Sequence, residues 1–100
     1  MINPKMLREM QNRLTKMQEE LAEAEVEATA GGGAVKVVAS GQQRIVSITI
    51  DPSAVDAADV EMLQDLIVAA VNEAMEKSKE MASAKMQSVA AGLGLPPGLV

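Results

Sequence analysis

The chain has 100 residues and a formal net charge of −5 at pH 7, and it contains no histidine, cysteine or aromatic residue. These absences exclude disulfide bonds, thiolate chemistry and nucleophilic catalysis by a Ser-His pair, and they leave no aromatic ring on which a nucleobase or a flavin could stack. Neither a membrane span nor a secretory signal is visible. We therefore expect a single cytoplasmic domain that is not an enzyme and has no cofactor, metal or small-molecule substrate.

The apolar residues are mostly small or flexible. Hydrophobic residues make up 48% of the chain, but alanine, valine and eight methionines supply much of that share. Side chains of this kind give a short chain a thin hydrophobic core. We therefore expect the subunit to bury further apolar area against a second copy, as a symmetric homodimer.

The first predicted element is a long helix over residues 5–25. Asn3 suits its N-cap and Pro4 its first helical position. Apolar residues then recur at alternating spacings of three and four, which is the a/d seam of a heptad pattern and predicts a buried stripe. The basic residues of this segment fall off the seam and are expected to face outward. The seam consists of Leu7, Met10, Leu14, Met17, Leu21 and Ala24.

A small antiparallel sheet is predicted next. Residues 34–40 and 44–50 favour two strands joined by a tight turn at 41–43, and the second of them is β-branched at most positions. Residues 26–30 are interpreted as a short edge strand, with continuation of the first helix to about residue 29 as the alternative. Three consecutive glycines at 31–33 predict a turn into the following strand.

The second long helix is predicted from about residue 59 to about residue 89. Acidic residues near its start suit an N-cap and the helix dipole. We expect its first half, which is apolar over a wide face, to be buried, and its second half, which is charged on most faces, to project. The predicted fold is α+β, with a long helix, a small antiparallel sheet of two or three strands and a long helix within residues 1–91, followed by a flexible tail at 92–100.

The charges alternate in sign along the chain. Because the second helix is expected to run back along the first, the basic blocks at the two chain ends should meet on one helical arm, and the acidic blocks should lie near the sheet. An acidic protein could in this way present a concentrated basic surface. The net charges of successive blocks are +3 for 1–18, −5 for 19–34, +2 for 35–50, −7 for 51–76 and +2 for 77–100.

Several segments together resemble one known family. They are 6–11 (MLREMQ), 24–28 (AEVEA), 31–37 (GGGAVKV), 48–52 (ITIDP), 59–74 (DVEMLQDLIVAAVNEA) and 94–99 (GLPPGL). This combination resembles the YbaB/EbfC family of bacterial nucleoid-associated proteins. The resemblance implies a tweezer-like homodimer, with a joint sheet at the base and protruding helical arms, that binds DNA in the cytoplasm without catalytic activity.

The candidate DNA-binding residues are the cations of the two chain ends. The resemblance attributes DNA contacts to the outer parts of the two long helices, and the charge blocks select the same positions. Gln11 and Asn12 lie among these cations and could reach base edges. We expect phosphate contacts to double-stranded DNA to dominate, with weak sequence preference and a role in organising the nucleoid or modulating gene expression. The basic candidates are Lys5, Arg8, Arg13, Lys16, Lys77, Lys79 and Lys85.

Other interpretations of these features stay open. The basic residues could be ordinary solvated helix faces, and the protein could be an adaptor that docks partner proteins through its Met-rich first helix and Leu-Pro-Pro tail. A phosphate loop does not fit residues 31–33, since no Lys-Ser/Thr pair follows them. The acids between residues 51 and 65 match no calcium-loop spacing and suit helix capping better.

Overall fold

The structure, a computed structural model, describes residues 3–94 and contains two long helices around one small sheet. This order confirms the predicted α+β fold, with three strands rather than two. The described part is elongated, with principal extents of 65 × 22 × 16 Å. Most of the predicted flexible tail lies outside the described residues. The elements are α1 (Pro4–Glu23), β1 (Glu25–Ala30), β2 (Val35–Ser40), β3 (Ile45–Ile50), a 3-10 turn (Pro52–Ala54) and α2 (Val60–Gly92).

The boundary between α1 and β1 decides between the two interpretations of residues 26–30. α1 begins as expected, because Asn3 Oδ1 accepts a hydrogen bond from the Met6 N–H at 2.7 Å. It ends just before Ala24, which is extended (φ −73°, ψ 146°), and the chain enters β1 at once. From Glu25 onward the backbone pairs with β2, so the strand is confirmed and the alternative of a longer helix is wrong.

β2 is the central strand of an antiparallel sheet with the order β1-β2-β3. Val35, Val37 and Ala39 alternate along β2, are fully buried, and lie in one core cluster with Ala70 and Ala74 of α2. The alanines let α2 lie close to the sheet, since no long side chain separates the two elements. The core is thus a single layer between α2 and one face of the sheet.

α2 packs mainly on β1 and β2, and it leaves β3 largely uncovered. Val46 in β3 is 54% exposed, and Val68 in the first half of α2 is 58% exposed. The expectation that the first half of α2 is buried is therefore wrong for one side of this helix. We call the exposed apolar residues of these two elements the β3–α2 surface. It consists of Ile45, Val46 and Ile48 from β3 and Val60, Met62 and Val68 from α2.

The second half of α2 runs antiparallel along α1. Lys85 Nζ lies 2.7 Å from Glu20 Oε2, and Arg13 Nη1 donates a hydrogen bond to the Gly92 carbonyl oxygen at 3.3 Å. α2 therefore ends opposite Arg13, and the first turns of α1 continue beyond it. We call α1 together with residues 78–92 of α2 the arm.

Candidate nucleic-acid interface

The base of the arm is joined tightly to the sheet. The N–H of Gly41, in the turn after β2, donates to the Ala24 carbonyl oxygen at 3.0 Å. A Cβ atom on Gly41 would lie 2.8 Å from both the carbonyl oxygen and Cδ2 of Leu21, so only glycine fits against α1 here. The arm therefore leaves the sheet in a fixed direction.

The heptad seam of α1 holds the inner half of the arm together. Met17 and Leu21 are buried, and Met86 of α2 lies across the contact from them. At the outer end of α1 the seam has no helix of residues 3–94 packed against it, because α2 ends opposite Arg13. Leu7 is therefore 46% exposed. The stripe that the heptad pattern predicts to be buried is therefore buried only in its inner half.

A groove of about 460 Å³ opens between α1 and α2 in the arm. Three of its seven lining residues are basic and one is acidic, so it carries positive charge in a protein whose net charge is −5. A groove of one sign concentrates ligands of the opposite sign, which suits it to a polyanion. We call it the basic groove; its lining residues are Arg13, Lys16, Met17, Glu20, Lys85, Ser88 and Val89.

An ion pair between the two helices lies in the basic groove. The ammonium group of Lys85 is 2.7 Å from the Glu20 carboxylate, and both side chains are 43% exposed. The hydrogen bond from Lys85 and then its charge lower the pKa of Glu20, and the charge of Lys16 acts in the same direction. Glu20 is therefore paired directly with Lys85, and the more distant charge of Lys16 also favours its ionised form.

Two acceptors orient the guanidinium group of Arg13. Nη2 lies 3.3 Å from Glu9 Oε1, one helical turn earlier, while Nη1 donates to the Gly92 carbonyl oxygen. A guanidinium group has five N–H donors, so Arg13 keeps donors for a further anion. Lys16, by contrast, has no carboxylate within 4.0 Å among residues 3–94.

The outer part of α1 carries four more of the predicted site residues. Lys5, Arg8, Gln11 and Asn12 are all exposed there. Neither Lys5 nor Arg8 forms an ion pair with any carboxylate of the described residues. Lys5 and Arg8 thus extend the positive charge of the arm toward the start of the chain, with the neutral amides Gln11 and Asn12 between them and the basic groove.

The last two predicted cations lie closer to the sheet. Lys77 packs against β1, because its Nζ donates to the Glu27 carbonyl oxygen at 2.9 Å and lies 3.6 Å from Glu73 Oε1. Lys79 is exposed at the inner end of the arm. The chain reversal therefore brings Arg13, Lys16 and Lys85 together around one groove. Lys77 lies outside this groove, where its ammonium group contacts β1 and Glu73.

Sequence reasoning missed Glu20 as a residue of this site. Glu20 lies on the part of α1 that contacts the turn after β2, where the Gln18 carbonyl oxygen accepts a hydrogen bond from the Gln42 side chain at 3.0 Å. The pair between Glu9 and Arg13 was readable from the sequence as an i,i+4 spacing on a helix. The pair with Lys85 was not, since it depends on the register between two helices that are distant in sequence.

Comparison with known proteins identifies close relatives over nearly the whole chain. A model of the YbaB/EbfC DNA-binding family matches residues 3–93. A nucleoid-associated protein of Acetivibrio thermocellus is 56% identical over 95 residues, which cover 95% of this chain and 84% of that protein. A nucleoid-associated protein of Syntrophobacter fumaroxidans is 52% identical over 94 residues, which cover 90% and 86% of the two chains.

A solved structure shares the fold. The crystal structure of an uncharacterised protein from Helicobacter pylori matches with a TM-score of 0.72 at 22% sequence identity, over 89% of each chain. At this identity the match supports the helix–sheet–helix architecture alone. Within residues 3–94, no helix is long and apolar enough to cross a membrane.

Proposed function

The chain belongs to the YbaB/EbfC DNA-binding family, and from this premise we propose that it binds double-stranded DNA through its arm, as a nucleoid-associated protein of the cytoplasm. The relatives at 56% and 52% identity are named nucleoid-associated proteins, which supports this location. The observation that carries the proposal is the basic groove, where Arg13, Lys16 and Lys85 converge in an otherwise acidic protein. The proposed function is binding without catalysis.

Contacts to DNA phosphates are the proposed source of affinity. Lys5, Arg8 and Lys16 have no carboxylate within 4.0 Å among the described residues, so their charges are available to a ligand. Neutralising phosphates releases condensed counterions, which makes binding favourable and salt-dependent. Lys79, at the inner end of the arm, and Lys77, just before it on α2, are proposed as peripheral contacts.

Weak sequence preference follows from this mode of binding. Phosphate contacts position a protein on the duplex but carry no direct sequence information. Gln11 and Asn12 are the amides among the outer cations, and they are the candidates for base-edge contacts. Modulation of gene expression would then arise from occupancy of many sites rather than from recognition of one operator.

We also propose a homodimer formed through the β3–α2 surface. β3 is an edge strand with one unpaired side, and an exposed apolar edge favours pairing with a second strand. Pairing of two β3 strands would produce a joint sheet and cover the exposed apolar residues of both subunits. It would also place two arms on one molecule, so that one dimer offers two basic grooves to DNA.

The exposed apolar residues at the outer end of α1 favour a second candidate function. Met6 and Leu7 are 49% and 46% exposed where α1 extends beyond α2. Flexible apolar side chains of this kind can accommodate different partners. An adaptor would use this end of α1, together with the Leu-Pro-Pro segment outside the described residues, to dock partner proteins.

Two charge reversals of equal size test the proposal. Arg8→Glu/Lys16→Glu changes the arm, and Lys36→Glu/Arg44→Glu makes the same change in net charge on the sheet. In gel-shift titrations with a duplex, we expect the arm variant to lose retention and the sheet variant to stay close to wild type, with the mass in solution unchanged for both.

The other outcomes are equally informative. Equal losses in the two variants would mean that net charge, rather than the arm, governs retention. Unchanged retention in the arm variant would contradict DNA binding through the arm and favour the adaptor.

A further inference from the structure

The basic groove already contains one oxyanion, and that oxyanion belongs to the protein. The Glu20 carboxylate lies 2.7 Å from the Lys85 ammonium group, and Lys16 lies one helical turn before Glu20 on α1. Carboxylate and phosphodiester groups accept the same charge-assisted hydrogen bonds from lysine and arginine. The position that Glu20 takes beside Lys85 is therefore one that a DNA phosphate could take.

We propose that the basic groove is a binding site for one phosphodiester group of the DNA backbone, and that Glu20 occupies this site in the free protein as an internal competitor. The inference rests on the proposed function, and it specifies how that same site is regulated. On binding, Lys85 transfers its hydrogen bond from Glu20 to a phosphate oxygen, while Arg13 and Lys16 flank the group. In the free protein, one cation of each arm is thus paired with Glu20, and it becomes available to DNA when this pair separates.

The exposure of the pair makes this exchange feasible. Both side chains are 43% exposed, so water and a ligand reach the contact from the open side of the groove. Exposed ion pairs contribute little net stability because solvent screens them, so separating Glu20 from Lys85 is easy. A buried pair would instead lock Lys85 in place.

Glu19 provides a matched control on the same helix. It carries the same charge, is exposed, and forms no ion pair within residues 3–94. Adjacent residues of a helix do not share a face, so Glu19 is directed away from Lys85. Glu19→Gln and Glu20→Gln therefore change the net charge equally, but only the second removes the competitor.

The experiment measures the affinity of the full-length protein for a labelled duplex by fluorescence anisotropy at several salt concentrations. We expect Glu20→Gln to bind about threefold more tightly than Glu19→Gln at the lowest salt, with similar log–log salt slopes, because both variants neutralise the same number of phosphates in the complex. In a Lys85→Gln background this difference should disappear, because the cation that pairs with Glu20 in the free protein is absent.

Each other outcome identifies what failed. If Glu20→Gln and Glu19→Gln bind equally, or if the gain persists in the Lys85→Gln background, the competitor role is overturned while salt-dependent binding by the wild type leaves the proposed function intact. If the wild-type protein shows no salt-dependent binding to the duplex, the proposed function fails and the competitor role fails with it.

Discussion

The hydroxyl group of Ser78 in α2 donates a 2.6 Å hydrogen bond to the carbonyl oxygen of Ser40 at the end of β2. The same oxygen of Ser78 accepts a hydrogen bond from the Gln43 N–H at 3.0 Å, and Ser78 is fully buried. One side chain thus fixes the turn between β2 and β3 to the helix. Because the arm begins at this point, its direction depends on the contact.

We expect Ser78→Ala to lower the free energy of unfolding by about 1 to 2 kcal/mol, because buried backbone groups lose a hydrogen-bond partner. Urea unfolding followed by circular dichroism measures the change. Ser83→Ala is the control, since Ser83 is exposed on the same helix and alanine favours helix formation. Equal stability of the two variants would show that the Ser78 contact contributes nothing.

The close approach of Gly41 to α1 gives a second prediction. A Cβ atom at residue 41 would lie 2.8 Å from the carbonyl oxygen of Leu21, and a helix backbone cannot move aside locally. We therefore expect Gly41→Ala to destabilise the fold by about 1 to 3 kcal/mol. Gly92→Ala is the control, because its Cβ would meet only the end of the flexible Arg13 side chain. Thermal unfolding of both variants makes the comparison, and a similar melting temperature for the two would contradict it.

Much of the fold was predictable because local patterns agree with the tertiary structure. The Asn3-Pro4 start of α1, the turn at 31–33 and the β-branched run of β3 were all predicted at their observed positions within about two residues. The end of α1 could not be fixed from the sequence. Residues 24–29 have no strong helix or strand signal, and pairing with β2 decides their conformation.

The β3–α2 surface predicts a test of the dimer. Ile48 is 44% exposed and pairs with Val37, so the two side chains lie on the same face of the sheet. Ile48→Asp should place a charge in the proposed subunit contact and shift the protein to monomers in sedimentation measurements. Thr49→Asp makes the same kind of change on the opposite face and should keep the dimer. A wild-type protein that sediments as a monomer would contradict the proposed contact.

Asp51 predicts a pH dependence of stability. Its Oδ1 accepts hydrogen bonds from the Ser53 N–H at 3.0 Å and the Ser53 hydroxyl at 2.9 Å, and these bonds, the backbone one first, lower the pKa of Asp51. A carboxyl group whose folded-state pKa is lowered stabilises the protein above its unfolded-state pKa of about 3.9, and this contribution is lost as the pH falls through the folded value.

Unfolding in urea across this pH range measures the effect. Asp51→Asn should be less stable than wild type near neutral pH, and the two proteins should converge below the folded-state pKa. Ser53→Ala removes only the hydroxyl donor and should give an intermediate profile. Parallel curves for Asp51→Asn and wild type would rule out the linkage.

The candidate site was predictable in outline and not in detail. Charge blocks along the sequence indicated which cations share the arm, because an antiparallel helix pair must bring the chain ends together. They could not distinguish Lys77, which donates to the Glu27 carbonyl oxygen, from Lys16, which has no such contact. They also could not place Glu20 opposite Lys85, since the helix register depends on the three-dimensional path of the sheet between them.

The salt dependence of duplex binding by the wild-type protein tests the central claim most directly. If each arm places about four cations on phosphates, the log–log slope of the association constant against salt should be roughly −4 or steeper between about 50 and 200 mM. A flat response over that range would contradict DNA binding through the basic residues of the arm.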